Sequence, residues 1–186
     1  MRPSLKLLAV CLFQVVLLAV FHYSGLREHF SIAFLQQRIS DNLLSGLLLF
    51  VLLFVLGNLI QIPGWIFLAA AVLTLGKGWG GVATYIAAVA SCLVTFFTLR
   101  MMGGDALRQL KNRYAVALLA RLDAHPLRNI VLLRMMFQTV PALNYALALS
   151  GVRLRHYVVG TLLGLPLPIA LYCLFFEQLA RQLQLN

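Results

Sequence analysis

Acidic residues are the scarcest class in this 186-residue chain: Asp and Glu number 5 against 15 Lys and Arg, for a formal net charge of +10. Charged residues of either sign make up only 11% of the sequence, while 62% is hydrophobic. Water-soluble domains run near a quarter charged and half apolar, so both a soluble fold and a disordered chain are excluded. The length suits one domain rather than two. Cysteines are few. Cys11, Cys92 and Cys173 each lie inside an apolar run, and an odd count there argues against a disulfide framework. No Cys/His grouping has metal-ligand spacing. No nucleophile with a neighbouring base occurs in any apolar stretch, which disfavours a lipid phosphatase or transferase. No catalytic residue, metal or cofactor is therefore expected. On a soluble chain the positive charge would suggest nucleic acid. Here cationic loops facing anionic lipid headgroups account for it, and nucleic acid is not an expected partner.

What is present is a series of apolar runs, and their lengths are informative. A spanning helix needs about 20 mostly apolar residues. Leu7 to Phe21, flanked by Arg2 and Lys6, reads as an uncleaved anchor, because no small-x-small cleavage site follows it. Gly25 to Asn42, with Arg27, Glu28, His29, Arg38 and Asp41, reads as an interfacial segment, and His22 and His29 as headgroup-level surface. Leu43 to Ile60 is a second apolar helix, interrupted at Gln61-Ile62-Pro63-Gly64. The run that follows, Trp65 to Leu75, reaches only ~17 Å, too short for a hydrocarbon core ~30 Å thick. Gly81 to Leu99 is a full span rich in small residues that allow close helix packing. Arg100 to Arg128 is a basic connector with helical spacing of Leu107, Leu110, Tyr114, Ala117, Leu118, Arg121 and Leu122, which predicts a helix on the membrane surface. Leu127 to Gly151 is again broken, at Gln138-Thr139-Val140-Pro141, and Tyr157 to Phe176 is the last span. The predicted organisation is an anchor and interfacial segment over 1–42, a membrane domain over 43–176 and a polar tail over 177–186.

Basic residues concentrate at the N-terminus, in the connector and at Arg153-Arg155, which puts all three on the cytoplasmic side. The chain then has two proline-broken hairpins that open from opposite faces. Each is followed by a glycine-basic turn, at Gly76-Lys77 and at Gly151-Val152-Arg153, and by a span. The expected fold is an all-α membrane protein, a polytopic helical bundle with two opposed re-entrant hairpins forming an inverted repeat. That is the pattern of secondary transporters, with broken tips meeting near the midplane. Two kinked helices in an ordinary bundle, with no transport role, are the competing explanation.

Several side chains stand out. Arg134 lies inside an apolar limb, where a charge costs at least ~2.5 kcal/mol, so function is the default expectation. Its guanidinium suits a phosphate group, gripped through two parallel hydrogen bonds. Snorkelling, or bonding to the broken backbone of the other hairpin, is the alternative role. Arg128 stands nearer the surface. Asn144 either meets a substrate oxygen or caps its half-helix. Gln61, Gln138 and Thr139 are polar at the tips, where they satisfy freed backbone groups or line a cavity. Pro63, Gly64, Pro141 and Gly151 read as structural breaks. Lys77, Arg153 and Arg155 read as topology anchors or headgroup contacts. His125 and His156 lie at the cytoplasmic rim, and Trp65, Trp79 and Tyr157 suit an interfacial aromatic belt.

The stretch Leu133-Arg134-Met135-Met136-Phe137-Gln138-Thr139-Val140-Pro141-Ala142-Leu143-Asn144, then Gly151-Val152-Arg153-Leu154-Arg155-His156-Tyr157 and Gly160-Thr161-Leu162-Leu163-Gly164-Leu165-Pro166, resembles the DedA superfamily. This is also called the SNARE-associated Golgi protein or VTT-domain family, and the likeness is to its Golgi-protein-like branch. Ile62-Pro63-Gly64 and Gly76-Lys77-Gly78-Trp79-Gly80 resemble that family's first hairpin. The resemblance spans roughly Leu43 to Phe176. It implies a bacterial inner-membrane protein that carries an anionic lipid between leaflets, as undecaprenyl-phosphate translocases or phospholipid scramblases do. In some members this depends on the proton-motive force. It also implies a functional arginine pair, at Arg128 and Arg134. Acidic residues carried by the bacterial DedA branch in the first hairpin are missing here, with Gln61 near the tip. Proton coupling would then fall to other groups, His125 or His156 among them. The alternative to lipid translocation or scrambling is a non-transporting structural or regulatory role in envelope homeostasis.

Overall fold

The computed structural model describes residues 3–23, 42–109, 113–137 and 140–182. The interfacial segment through 41 with His29, the His22 side chain, Lys111, Gln138 and Thr139 lie outside the described residues. The described chain is helical throughout: α1 (Pro3–Tyr23), α2 (Leu43–Leu59), α3 (Gly64–Gly103), a 3-10 turn (Ala106–Gln109), α4 (Arg113–Ala124), α5 (Pro126–Phe137), α6 (Ala142–Leu149), α7 (Leu154–Gly164) and α8 (Pro166–Gln182).

Local chemistry sets where the first hairpin starts and breaks. Asn42 caps α2, its Oδ1 accepting from the Leu44 and Ser45 N–H groups at 3.1 and 3.2 Å. The helix ends in a Schellman arrangement. Ile62 N–H donates to the Gly57 carbonyl, Gln61 N–H donates to that of Asn58, and Gln61 sits at φ 67. Pro63, at φ −61, then opens α3 with no N–H to leave orphaned.

α3 is not one rod. Gly76 has φ 75 and ψ 169, a backbone state that glycine alone takes readily. A Cβ added at Gly80 would lie 2.6 Å from the Ala71 carbonyl oxygen and 2.8 Å from the Val72 nitrogen. Residues 71 and 80 of a straight helix would stand about 13 Å apart. The chain therefore folds back at Gly76 into a short limb, α3a (64–75), and a long one, α3b (77–103). At 1.5 Å per residue α3a is about 18 Å long and α3b about 40 Å, so only α3b can cross a ~30 Å hydrocarbon core.

The second half repeats this plan. α5 and α6 flank the break at Pro141, Gly151 turns the chain at φ 79, and α7 and α8 run on as one bent, apolar span over Leu154–Gln182. The bend has a local cause. Pro166 cannot donate to the Leu162 carbonyl, and the Tyr85 hydroxyl donates to it instead, at 3.1 Å.

Contacts at the two ends fix the relative direction of the halves. Lys77, at the start of α3b, pairs with Glu177 near the end of α8 at 3.0 Å. At the other end Arg100 donates to the Gly104 and Ala148 carbonyls, and a Cβ on Gly151 would meet the Arg108 side chain at 2.6 Å. α3b and the α7–α8 span are thus antiparallel, and the two hairpins open from opposite ends of the bundle. One apolar cluster packs Phe50, Phe54, Phe67 and Leu68 against Ala83, Ala87 and Ile169. A second packs Phe96, Leu99, Ile130, Leu147 and Tyr157, with Val10 of α1.

Outward, Leu48, Leu52, Val82, Ile86, Phe97, Leu171, Leu174 and Phe175 are exposed. An apolar mantle of this extent suits lipid rather than water. This is an all-α membrane protein. Two sequence expectations need correction. The connector helix is only Arg113–Ala124, and it buries Leu119 and Leu122 while Ala117 and Arg121 face outward. The span starting at Gly81 begins a turn earlier, directly after Gly76.

Candidate functional site

The tips of the hairpins meet through side chains. Arg134, in the last turn of α5, is only 2% exposed. Its Nη1 donates to Asn144 Oδ1 at 2.5 Å, and its guanidinium lies 5.2 Å from the centre of the Tyr157 ring. Asn144 Nδ2 donates to Asn58 Oδ1 at 3.2 Å, and Asn58 Nδ2 donates to Ser91 Oγ at 2.7 Å. Cys92 Sγ also donates to Asn144 Oδ1, at 3.4 Å, and the Tyr157 hydroxyl donates to the Cys92 carbonyl at 2.9 Å. One polar chain therefore runs from α5 through α6 and α2 into α3b, inside a core that is otherwise apolar. Tyr145 adds a second tie, its hydroxyl donating to the Leu59 carbonyl at 2.7 Å and meeting the Gln14 side-chain amide of α1.

Two glycines let Arg134 sit this deep. A Cβ at Gly164 would stand 2.6 Å from the Arg134 Cβ and 3.1 Å from the Val131 carbonyl oxygen; one at Gly160 would stand 2.8 Å from the Ile130 Cβ. Gly160-Thr161-Leu162-Leu163-Gly164 is a small-xxx-small face on which α5 lies against α7.

Arg134 carries no salt bridge among the described residues, and its Nε and Nη2 have no hydrogen-bond partner. It lines a cavity of about 30 Å³ together with Asn58, Trp65, Thr84, Cys92 and Asn144. The Thr84 hydroxyl is likewise buried and unpartnered.

The other sequence candidates fall elsewhere. Arg128 is exposed on α5, about 9 Å along the helix from Arg134. Gln61 occupies the left-handed cap of α2, beside the Tyr145 hydroxyl. Pro63 and Pro141 precede α3a and α6. Gly64 packs near Phe54, whose ring would lie 3.4 Å from an added Cβ. The Lys77 ammonium is paired with Glu177, which also accepts from Arg181. Arg153 stands at the N-terminal boundary of α7 without a side-chain capping bond, and Arg153, Arg155 and His125 are exposed. Trp65 and Trp79 are exposed, but Tyr157 is wholly buried, so it is no part of an interfacial belt. Its ring is held by Phe96, centroid to centroid 4.5 Å, and by Arg134. Sequence reasoning passed over Asn58, Thr84, Ser91 and Cys92. Asn58 had a signal, a lone amide in an apolar run close to the break.

In the connector Arg108 grips Asp123 through two hydrogen bonds, at 2.9 and 2.5 Å, while stacking over Gly151. The Arg108 hydrogen bond holds the Asp123 carboxyl below the usual carboxylate range. No grouping of three or more His, Cys, Asp or Glu that could hold a metal occurs among the described residues.

A family model for the VTT domain matches residues 62–178, from the first break to the end of the last span. The chain belongs to the VTT-domain family. This is the domain of the DedA/SNARE-associated proteins, and it covers Pro63, Pro141, α3b and the Arg134–Asn144 pair, while Asn58 lies just before it. No curated protein and no solved structure matches the chain.

Proposed function

We propose that this VTT-domain protein moves an anionic lipid, a lipid phosphate or a phospholipid, between the leaflets of a bacterial inner membrane, with its N-terminus in the cytoplasm and without chemical change to the lipid. The observation that carries this reading is Arg134: a guanidinium buried among apolar helices, with two nitrogens unspent, where two opposed hairpins touch. A cation held in a membrane core is costly to keep and is retained for a partner. A phosphate oxygen pair matches its planar donor edge.

In this mechanism the hairpins are re-entrant, and their tips part to admit the headgroup while the tails stay in lipid. Arg134 neutralises the phosphate near the midplane. Asn144 and the tip residues Gln61, Gln138 and Thr139 replace water around it. Arg128 receives it at the cytoplasmic rim, with Arg153 and Arg155 drawing anionic headgroups there and Lys77 doing so on the outer side. With no carboxylate in the first hairpin, any proton coupling would use His125 or His156.

One observation favours a structural or regulatory role instead. The cavity of about 30 Å³ has room for about two water molecules and none for a headgroup, so transfer requires the hairpins to separate. Liposomes containing the purified protein decide between the readings. Transfer of a fluorescent phospholipid or of a polyprenyl phosphate, followed with and without a pH gradient, supports a carrier or scramblase. A folded protein that transfers neither lipid supports the structural role.

A further inference from the structure

The hydrogen-bond ledger of the buried network is lopsided. The amide and serine acceptors in it are taken: Asn144 Oδ1 by Arg134 and Cys92, Asn58 Oδ1 by Asn144, and Ser91 Oγ by Asn58. The unspent groups are two pure donors, Arg134 Nε and Arg134 Nη2, and the Thr84 hydroxyl, which has a proton to donate, and both residues line the same cavity. Among the described acids, Asp123 is paired with Arg108 and Glu177 with Lys77 and Arg181, and Asp105 is exposed beyond the end of α3b. None of them compensates Arg134. Buried donors left unmade are expensive, and a buried cation without a counter-charge more so.

We infer that the cavity beside Arg134 and Thr84 is a binding site for a small monatomic anion, a halide such as chloride, in the closed state of the bundle. Size selects this ligand. A water needs about 10–15 Å³ of such space, so a cavity of about 30 Å³ takes one or two particles of that scale. A bare halide fits. A tetrahedral phosphate with four oxygens does not. Water alone would satisfy the donors but leave the charge of Arg134 uncompensated. The halide accepts from Arg134 Nε or Nη2 and from the Thr84 hydroxyl, and balances the guanidinium that Asn144 only orients. This site stands independently of lipid transfer.

The test uses the full chain in phosphatidylcholine nanodiscs, titrated with sodium bromide against sodium gluconate at constant ionic strength. In the Trp79→Phe protein the remaining tryptophan is Trp65, which lines the cavity. Bromide should quench it saturably. Tm should rise by roughly 3–6 °C at ten times the midpoint concentration, with no rise in gluconate. Thr84→Val removes only an unpartnered hydroxyl and should raise the midpoint several-fold. Arg134→Met should abolish the response, and if it does not fold, Thr84→Val decides alone. Linear quenching with equal Tm in both salts would overturn the site. So would an unchanged saturable response in Thr84→Val.

Discussion

Asn144 Nδ2 donates to Asn58 Oδ1 at 3.2 Å, and this side-chain bond joins the Arg134 network of the second hairpin to the first. Its position explains why both residues are buried although each is an amide in an apolar helix: each satisfies the other, and together they connect Arg134 to Ser91. A double-mutant cycle on Asn58→Ala and Asn144→Ala should give a coupling of about 0.6 kcal/mol, and no more than about 1.7. Asn144→Ala alone should cost more than Asn58→Ala, because it also strips Arg134 of its hydrogen-bond partner. Reversible unfolding in mixed detergent measures both. Equal single-mutant costs with zero coupling would contradict the linkage.

Close approach of α5 and α7 depends on glycine. Gly164→Ala should destabilise by about 1–3 kcal/mol, because the new methyl collides with the Arg134 Cβ and the Val131 carbonyl. Gly160→Leu should prevent folding. Gly78 has nothing within 4 Å of an added Cβ, so Gly78→Ala should leave stability within a few tenths of a kcal/mol or raise it. Melting curves of the three variants check this, and a destabilised Gly78→Ala beside an unaffected Gly164→Ala would count against the packing.

Gln61 holds a left-handed cap that glycine fills at no steric cost. Gln61→Gly should therefore keep or raise stability, by up to about 1 kcal/mol, and Gln61→Val should lower it by about 1–2 kcal/mol. If Gln61 also meets the lipid, Gln61→Gly should slow transfer while leaving Tm intact, which separates its two roles.

The Arg108–Asp123 pair gives a pH dependence. Binding to Arg108 depresses the folded-state pKa of Asp123, so the pair's stabilisation is present above the unfolded carboxylate value, near 3.9. It is lost as pH falls through the depressed value. Both groups are substantially exposed, so the effect is small and salt-screened. Asp123→Asn should flatten the acid limb of a Tm-against-pH curve below about pH 4 and lower Tm slightly near neutrality, where the wild-type pair is intact. A steeper acid limb in the variant would contradict the sign.

The broken hairpins could be read from the sequence because their causes are local: Pro63 and Pro141 cannot continue a helix, and the limbs beside them are too short to span. Arg134 was equally visible as a charge in an apolar run. Asn58 obeys the same rule and was overlooked, since an amide is a weaker exception than a charge. Tyr157 was misassigned because an aromatic next to Arg153 and Arg155 suggests a headgroup belt. Its burial follows from the Gly160 and Gly164 face of α7, which only the packed partner α5 makes meaningful. Thr84, Ser91 and Cys92 blend into a small-residue span, where sequence gives no direction. The turn at Gly76 was legible as a glycine, but the reversal there needed the contact of Gly80 with Ala71.

Arg134 is the centre of the account, and lipid transfer by its variants in liposomes is the most direct measurement. Arg134→Ala, reconstituted and folded, should transfer the lipid phosphate at least tenfold more slowly than wild type, with Arg134→Lys intermediate because it keeps the charge and loses the planar donor edge. Transfer at the wild-type rate by a folded Arg134→Ala protein would contradict the account and leave the arginine as a packing residue.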